Sequence, residues 1–137
     1  MILDTDVIVA AIRSSTGASA EIVRRVLRGE LVFEASVALV LEYEAVSTRA
    51  QHLSAGGLSE AEALGVIDSM ASLARPIEIH FRWRPQLRDA DDEMVLEAAI
   101  NAQERTIVTF NVRDFAMAAH KFGIALATPS QFLRSLK

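Results

Sequence analysis

The segment "LRDADDEMVLEAAI", Leu87 to Ile100, sets four acids within five residues, Asp89, Asp91, Asp92 and Glu93, and then turns apolar. Acids are favoured at a helix N-terminus, where a side-chain oxygen satisfies a free backbone N–H and the macrodipole is positive, each worth roughly 0.3–1 kcal/mol through the dipole. One or two acids are accounted for in that way. Four are not, because two carboxylates about 4 Å apart at an effective dielectric near 20 repel by on the order of 4 kcal/mol. The cluster is therefore either splayed into water or gathered around something cationic. Within it, Asp89 or Asp91 suits the helix cap. Asp92 stands one turn before Leu96 and so near the buried side, and Glu93 is expected to be exposed.

Acids recur at comparable places elsewhere. Asp4 follows Ile2 and Leu3 at the end of a short apolar run. An acid there costs free energy unless it is paired, caps a helix or binds a metal. Capping and metal ligation both fit Asp4, and ligation is the preferred reading, because Asp6 is the more natural cap. Glu42 lies in "LVLEYEAV" beside the apolar face formed by Leu39, Val40, Tyr43 and Val46, whereas Glu44 lies farther round and is read as solvated. "VTFNVRD" brings Thr109, Asn111 and Asp114. Thr109 either orients a carboxylate or phosphate through its hydroxyl or fills a core strand.

Other polar groups carry weaker signals. His52, His80 and His120 are far apart, form no metal-spaced pair and suit ordinary surface or half-buried roles. In "HFRWRPQLR", Phe81 and Trp83 alternate with Arg82 and Arg84, followed by Arg88. Arginine among aromatics suits phosphate contact and base stacking, so Arg82, Trp83 and Arg84 are candidate RNA-binding residues. The same alternation fits an edge strand with one polar face.

The elements that must position these residues alternate in type. "ILD" is a short strand and "VIVAAIRS" a short helix. "SAEIVRRVLRG" is a helix with Ser19 as cap and Gly29 as stop. "ELVFEAS" reads as a strand and "VALVLEYEAVSTRA" as a helix. "LSEAEALGVIDSMASLA" is a helix opened by Ser59 and Glu62 as a capping box. "RPIEIHF" alternates like a strand. "DDEMVLEAAINAQ" is helical, "RTIVTF" a buried strand, "RDFAMAAHKFG" a helix stopped by Gly123, "IALATP" a last strand and "SQFLRSLK" a terminal helix. Strands separated by helices predict an α/β fold, a three-layer α/β/α sandwich around a mainly parallel sheet. Sites in such sheets form beyond the carboxyl ends of the strands, which is where Asp4 and the Thr109–Asp114 segment fall.

The chain as a whole sets bounds. Its 137 residues, 51% hydrophobic and 23% charged, predict one globular domain spanning 1–137. The absence of cysteine excludes a disulfide framework, a thiolate zinc site and a thiol nucleophile. The start, "MILDTDVIVAAIRSS", has no basic leader region, and no apolar run is long enough to span a bilayer, so a cytoplasmic protein with no membrane partner is expected. A net charge of −4 argues against coating nucleic acid by charge alone, but a nuclease whose acids are neutralised by bound metal remains open.

Four motifs, "ILDTDVIVAAI", "LVLEYEAV", "DADDEMVLEAA" and "IVTFNVRDF", stand in the order and approximate spacing of a PIN-domain ribonuclease. The chain resembles in particular the VapC-like toxins of bacterial toxin–antitoxin pairs, over nearly its whole length. The resemblance implies a Mg²⁺- or Mn²⁺-dependent endoribonuclease leaving 5′-phosphate and 3′-hydroxyl ends, a homodimer, and a small antitoxin partner. Matched by motif, the catalytic set is Asp4, Glu42, Asp92 and Asp114, with Asp4, Asp92 and Asp114 on metal and Asp6, Asp89, Thr109 and Asn111 supporting. There are two departures. The family commonly has Asn where this chain has Asp6, and often Asp where this chain has Asn111, which leaves one or two metals open.

Two rival readings follow from the same residues. "DTDVIV" after a strand also suits a haloacid-dehalogenase-like phosphatase, whose pocket needs a lysine before the final acids. Here the lysines are Lys121 and Lys137, both after "DADD". The neutral Asn111 suits a PIN-like binding module without activity.

Overall fold

The computed structural model describes residues 1–80, 86–87 and 89–136. In chain order the elements are β1 (Ile2–Leu3), α1 (Thr5–Arg13), α2 (Ala18–Leu27), β2 (Glu34–Ala35), α3 (Val37–Ser47), α4 (Ala50–Gly56) and α5 (Glu60–Leu73). They continue as β3 (Arg75–Pro76), α6 (Ala90–Asn101), β4 (Thr106–Val108), α7 (Val112–Phe122), β5 (Ala125–Ala127) and α8 (Pro129–Ser135).

All pairing is parallel. β1 and β5 flank β4, with Leu3 opposite Val108 and Val108 opposite Ala127, and β2 pairs with β3. The Glu34 N–H donates to the Met1 carbonyl at 2.9 Å and joins the two pieces, giving the order β3-β2-β1-β4-β5. The chain steps one way from β1 to β3 and the other way from β4 to β5. Right-handed crossovers then put α1–α5 on one face and α6 and α7 on the other. The helix contacts agree, with α1 against α2, α3 and α4, and α6 against α7. Ile2, Leu3, Ile107 and Val108, sealed between the layers, are fully buried. Both faces of these strands are covered, which is why they read as unbroken apolar runs. The expected α/β fold, helices around a parallel sheet, is the observed one.

Local signals held where side chain meets backbone. Ser59 and Glu62 form the capping box of α5, and Gly29 and Gly123 follow α2 and α7 in the left-handed conformation that favours glycine. Ser19 is not a cap: α2 begins one residue earlier behind Gly17, and the Ser19 side chain is buried within the helix. "RPIEIHF" pairs only at Arg75–Pro76. Ile77 is buried and Glu78 exposed, so the alternation is real, but β2 ends at Ala35 and its chain turns into α3 capped by Ser36. The helix α4 was not anticipated. Among the described residues no helix is long and apolar enough to cross a membrane.

Candidate active site

The order reverses between β1 and β4, and the acids gather at the carboxyl ends of these two strands, as expected for a topological switch point. The Asp4 N–H still donates to the Val108 carbonyl at 2.9 Å, so the residue is fixed by the sheet. Tyr43 of α3 donates its hydroxyl to the Leu3 carbonyl immediately before it. Tyr43 is fully buried, stacks against Phe33 and pins α3 to the end of β1. The sequence showed Tyr43 only as part of an apolar face.

Asp4, not Asp6, occupies the N-cap position of α1, and its side chain does not cap. Its Oδ2 instead accepts a hydrogen bond from Thr109 Oγ1 at 2.7 Å, both groups being buried. The hydroxyl oxygen of Thr109 accepts in turn from the Asn111 N–H at 2.9 Å. Of the two roles open to Thr109, its hydroxyl performs the first while its backbone extends the sheet, donating to the Ala127 carbonyl. Burial raises the Asp4 pKa, against the lowering effect of the Thr109 hydroxyl and the nearby Thr5 and Asp6 amides.

Asp6 lies in the first turn of α1. Its Oδ2 accepts from the Phe110 N–H at 3.1 Å and from Asn111 Nδ2 at 3.2 Å. Its Oδ1 is buried without a partner among the described residues. Burial, and then the Asp4 charge, push its pKa up to about 7. The two departures from the PIN pattern are thus in contact. Asp for Asn at 6 and Asn for Asp at 111 exchange a carboxylate for an amide across one hydrogen bond and leave the local charge unchanged.

Asp89 caps α6, accepting from the Asp91 N–H at 2.9 Å. Asp92 is half-buried, and burial, followed by the charges of Asp4, Asp89, Asp114 and Asp91, raises its pKa to about 6. Glu93 is not exposed. It is 4% accessible, and its Oε1 accepts from the backbone N–H groups of Gln86 and Leu87, both at 2.6 Å. It folds back to fasten the segment entering α6, a structural use that helical position did not reveal. Glu44, read as solvated, is half-buried, and its pKa is raised by burial and then by the Asp68 carboxylate of α5.

These elements enclose a cavity of about 310 Å³ lined by Asp4, Thr5, Asp6, Val9, Glu42, Val46, Arg49, His52, Asp91, Asp92 and Asn111. Asp4, Glu42 and Asp92 are therefore brought together. Asp114 is exposed and lines an adjoining hollow with Gln86, Leu87, Asp89, Arg113 and Met117, and Asp92 borders both spaces. Asp91, Arg49 and His52 had not been singled out for this site, since their arrival depends on where α4 and α6 pack. Arg82, Trp83 and Arg84 lie outside the described residues.

Among the described residues no three acidic or histidine side chains converge tightly enough to enclose an ion. Mg²⁺ does not require such a cage, since it keeps several waters and takes one or two carboxylates directly. The donor set fits a hard divalent cation. Its groups are carboxylate oxygens, one of them buried and unpartnered on Asp6, and burial, followed by neighbouring carboxylate charge, makes two of the acids hold their protons unusually well.

No curated protein and no solved structure matches this chain. The PIN domain family model matches residues 1–113, from the first strand through Thr109 and Asn111, and ends one residue before Asp114. PIN domains are usually nucleases and generally use divalent metals, and neither the phosphatase nor the inactive-module reading is favoured by the match. With the model spanning most of its length and the acids of β1, α3 and α6 meeting in one cavity, this chain belongs to the PIN domain family.

Proposed function

We propose that this protein is a Mg²⁺- or Mn²⁺-dependent endoribonuclease, the VapC-like toxin of a toxin–antitoxin pair. The observation that carries the reading is the unsatisfied negative charge at the β1–β4 switch point: Asp4, Asp6 and Asp92 share one cavity, each with its pKa raised. Asp4 and Asp92 would hold the ion, with Asp6 and Glu42 beside them and Asp114 reached through the hollow behind Asp92. A divalent ion bound there supplies an activated water and offsets charge on the phosphoryl group. Thr109 holds one oxygen of Asp4 and so fixes the direction of the other. Asp6, its Oδ2 tied to Phe110 and Asn111, would take the proton of the attacking water. The water oxygen bonds to phosphorus, the bond from phosphorus to the 3′ oxygen breaks, and that oxygen takes up the proton that Asp6 accepted, returned through solvent. The products are a 5′-phosphate and a 3′-hydroxyl.

The same reading brings a small antitoxin protein that masks the cavity, a homodimer, and a cytoplasmic location. The test is cleavage of a mixed structured-RNA pool with Mn²⁺, with EDTA, and with the Asp4→Asn protein, with the product ends mapped. Metal-dependent cutting that leaves 5′-phosphates and disappears in the variant is the expected result. Undiminished cutting by Asp4→Asn would sink the site assignment, and absence of both cutting and Mn²⁺ binding would sink the function.

A further inference from the structure

Two basic side chains stand in the acid-lined cavity without a task in the chemistry above. Arg49 occupies the N-cap position of α4, where its side chain makes no capping bond. It lines the same cavity as Asp4, Asp6 and Asp92, yet it forms no ion pair with any carboxylate among the described residues. His52, one turn along α4, lines the cavity too. Its Nδ1 lies 2.9 Å from the Arg13 guanidinium. Arginine has donors only, so Nδ1 accepts, the ring is neutral and its proton sits on Nε2. Burial, then Arg13 and Arg49, lower the His52 pKa, in keeping with that state. Nε2 has no partner among the described residues.

The helix that carries both groups is anchored, and the His52 ring is held. A Cβ at Gly56 would stand 1.9 Å from the Ile12 carbonyl oxygen, so α4 meets α1 backbone to backbone. Arg13, on the last turn of α1, grips His52 and also reaches the Gln51 carbonyl at 3.4 Å. The outcome is an imidazole N–H held in place by Arg13 and, one turn before it on the same anchored helix, an exposed guanidinium, both lining the cavity with the carboxylates and both with donors to offer.

We infer that Arg49 and His52 form the phosphate-binding wall of the cavity, holding a non-bridging oxygen of a single-stranded RNA phosphodiester against the acids opposite. This rests on the nuclease reading for its substrate. A chain of net charge −4 repels a polyanion, so the attraction that seats the scissile phosphate has to be local. A guanidinium left unpaired among carboxylates and a neutral imidazole presenting N–H offer donors without adding an acceptor that would oppose the phosphate.

The test measures binding apart from cleavage. The probe is a fluorescent single-stranded oligoribonucleotide with native phosphodiester linkages, kept uncleaved by EDTA. In the Arg49→Ala/His52→Ala protein, affinity should fall about 10- to 100-fold. The slope of log affinity against log salt should flatten by roughly 0.7 for the lost charge. Arg49→Lys should restore most of that slope, which a purely structural role would not predict. On cleavable RNA, KM should rise with the loss of affinity while kcat changes less. Unchanged affinity and slope in the double variant, with wild type cutting RNA, would overturn the wall and leave the nuclease standing. Binding that is lost in the double variant while wild type never cuts would keep the wall and remove the nuclease. A wild type that does not bind the probe removes the wall. Should the double variant melt lower than wild type, Arg49→Gln alone carries the same reading, since the Arg49 side chain caps nothing.

Discussion

Glu34 and Asp6 are both carboxylates withdrawn from water on either flank of β1, and the chain treats them differently. Glu34 is 1% accessible, and its two oxygens accept from the backbone N–H groups of Gln103 at 3.2 Å and Glu104 at 3.0 Å. The Met1 amino group and the Arg75 guanidinium each stand 3.9 Å from it. Glu93 also takes two backbone amide donors, both on Oε1, and fastens its segment with them. Asp6 has one buried oxygen with no partner among the described residues and another acid, Asp4, as its neighbour. A buried charge given donors fastens segments together. A carboxylate with donors on one oxygen only, its other oxygen buried beside a second acid, raises the free energy of the fold, and its use must lie in something the fold does not supply.

The largest test of the contrast breaks the satisfied carboxylate. Glu34→Ala strands two amide donors beside two cationic groups and should cost roughly 3–5 kcal/mol of stability. Denaturant unfolding would read it, and cleavage per folded molecule should be unaltered because Glu34 does not border the cavity. A loss below about 1 kcal/mol would mean that water replaces those bonds easily and that the two carboxylates differ less than their partners suggest.

Asp92→Asn should do the reverse. It removes a charge that its surroundings already disfavour, so the metal-free protein should melt no lower than wild type. RNA cleavage should fall by about 100-fold or more, because a ligating or positioning carboxylate is lost. A variant that cleaves normally, or unfolds as readily as Glu34→Ala, would place Asp92 among the structural acids.

The next effect is smaller and sharper. Asp6 and Asn111 share a hydrogen bond of 3.2 Å, with acid and amide exchanged relative to the PIN pattern. Asp6→Asn alone removes a carboxylate, and Asn111→Asp alone sets a second one against Asp6. Asp6→Asn, which removes the proton acceptor, should lower cleavage about 100-fold and Asn111→Asp about tenfold. The double exchange restores one acid and one amide in contact and should recover most of the activity, a coupling of about 1–3 kcal/mol. Simple addition of the two losses would show that the acid is required at position 6 itself.

Much of this site could be read from the chain, and what could not has a common cause. Asp4 at a strand end, Asp89 as a cap and the Ser59–Glu62 box are local patterns, decided by residues within a turn of each other. The contact between Asp6 and Asn111 spans 105 residues and that between Thr109 and Asp4 spans the same distance, so no spacing rule reports them. Glu93 was misplaced because helical position alone does not show that Gln86 and Leu87 return their amides to it. The helix α4 escaped because "AQHLSAG" has no apolar stripe and no buried residue; it is held by the close approach of Gly56 to Ile12 and by Arg13 on His52. Arg49 and His52 escaped with it.

A last effect concerns pH in the absence of metal. The pKa of Asp6 is raised from 3.8 to about 7 and that of Asp92 from 3.8 to about 6, with Asp4 shifted in the same direction. Between those limits the native state binds more protons than the unfolded chain, so stability falls as pH rises. The penalty from these groups is absent below pH about 4, grows through the interval and is complete above about 7. In EDTA, wild type should therefore lose stability between pH 5 and 7.5 relative to Asp6→Asn, whose amide does not titrate. The partial exposure of Asp92 screens its share. Millimolar Mn²⁺ should raise the wild-type Tm by a few degrees at pH 7.5 and by less at pH 5, where protons already occupy the carboxylates. Parallel pH curves for wild type and Asp6→Asn, or a Tm indifferent to Mn²⁺ at both pH values, would show that the unpartnered oxygen of Asp6 costs the fold nothing and would erase the distinction from Glu34.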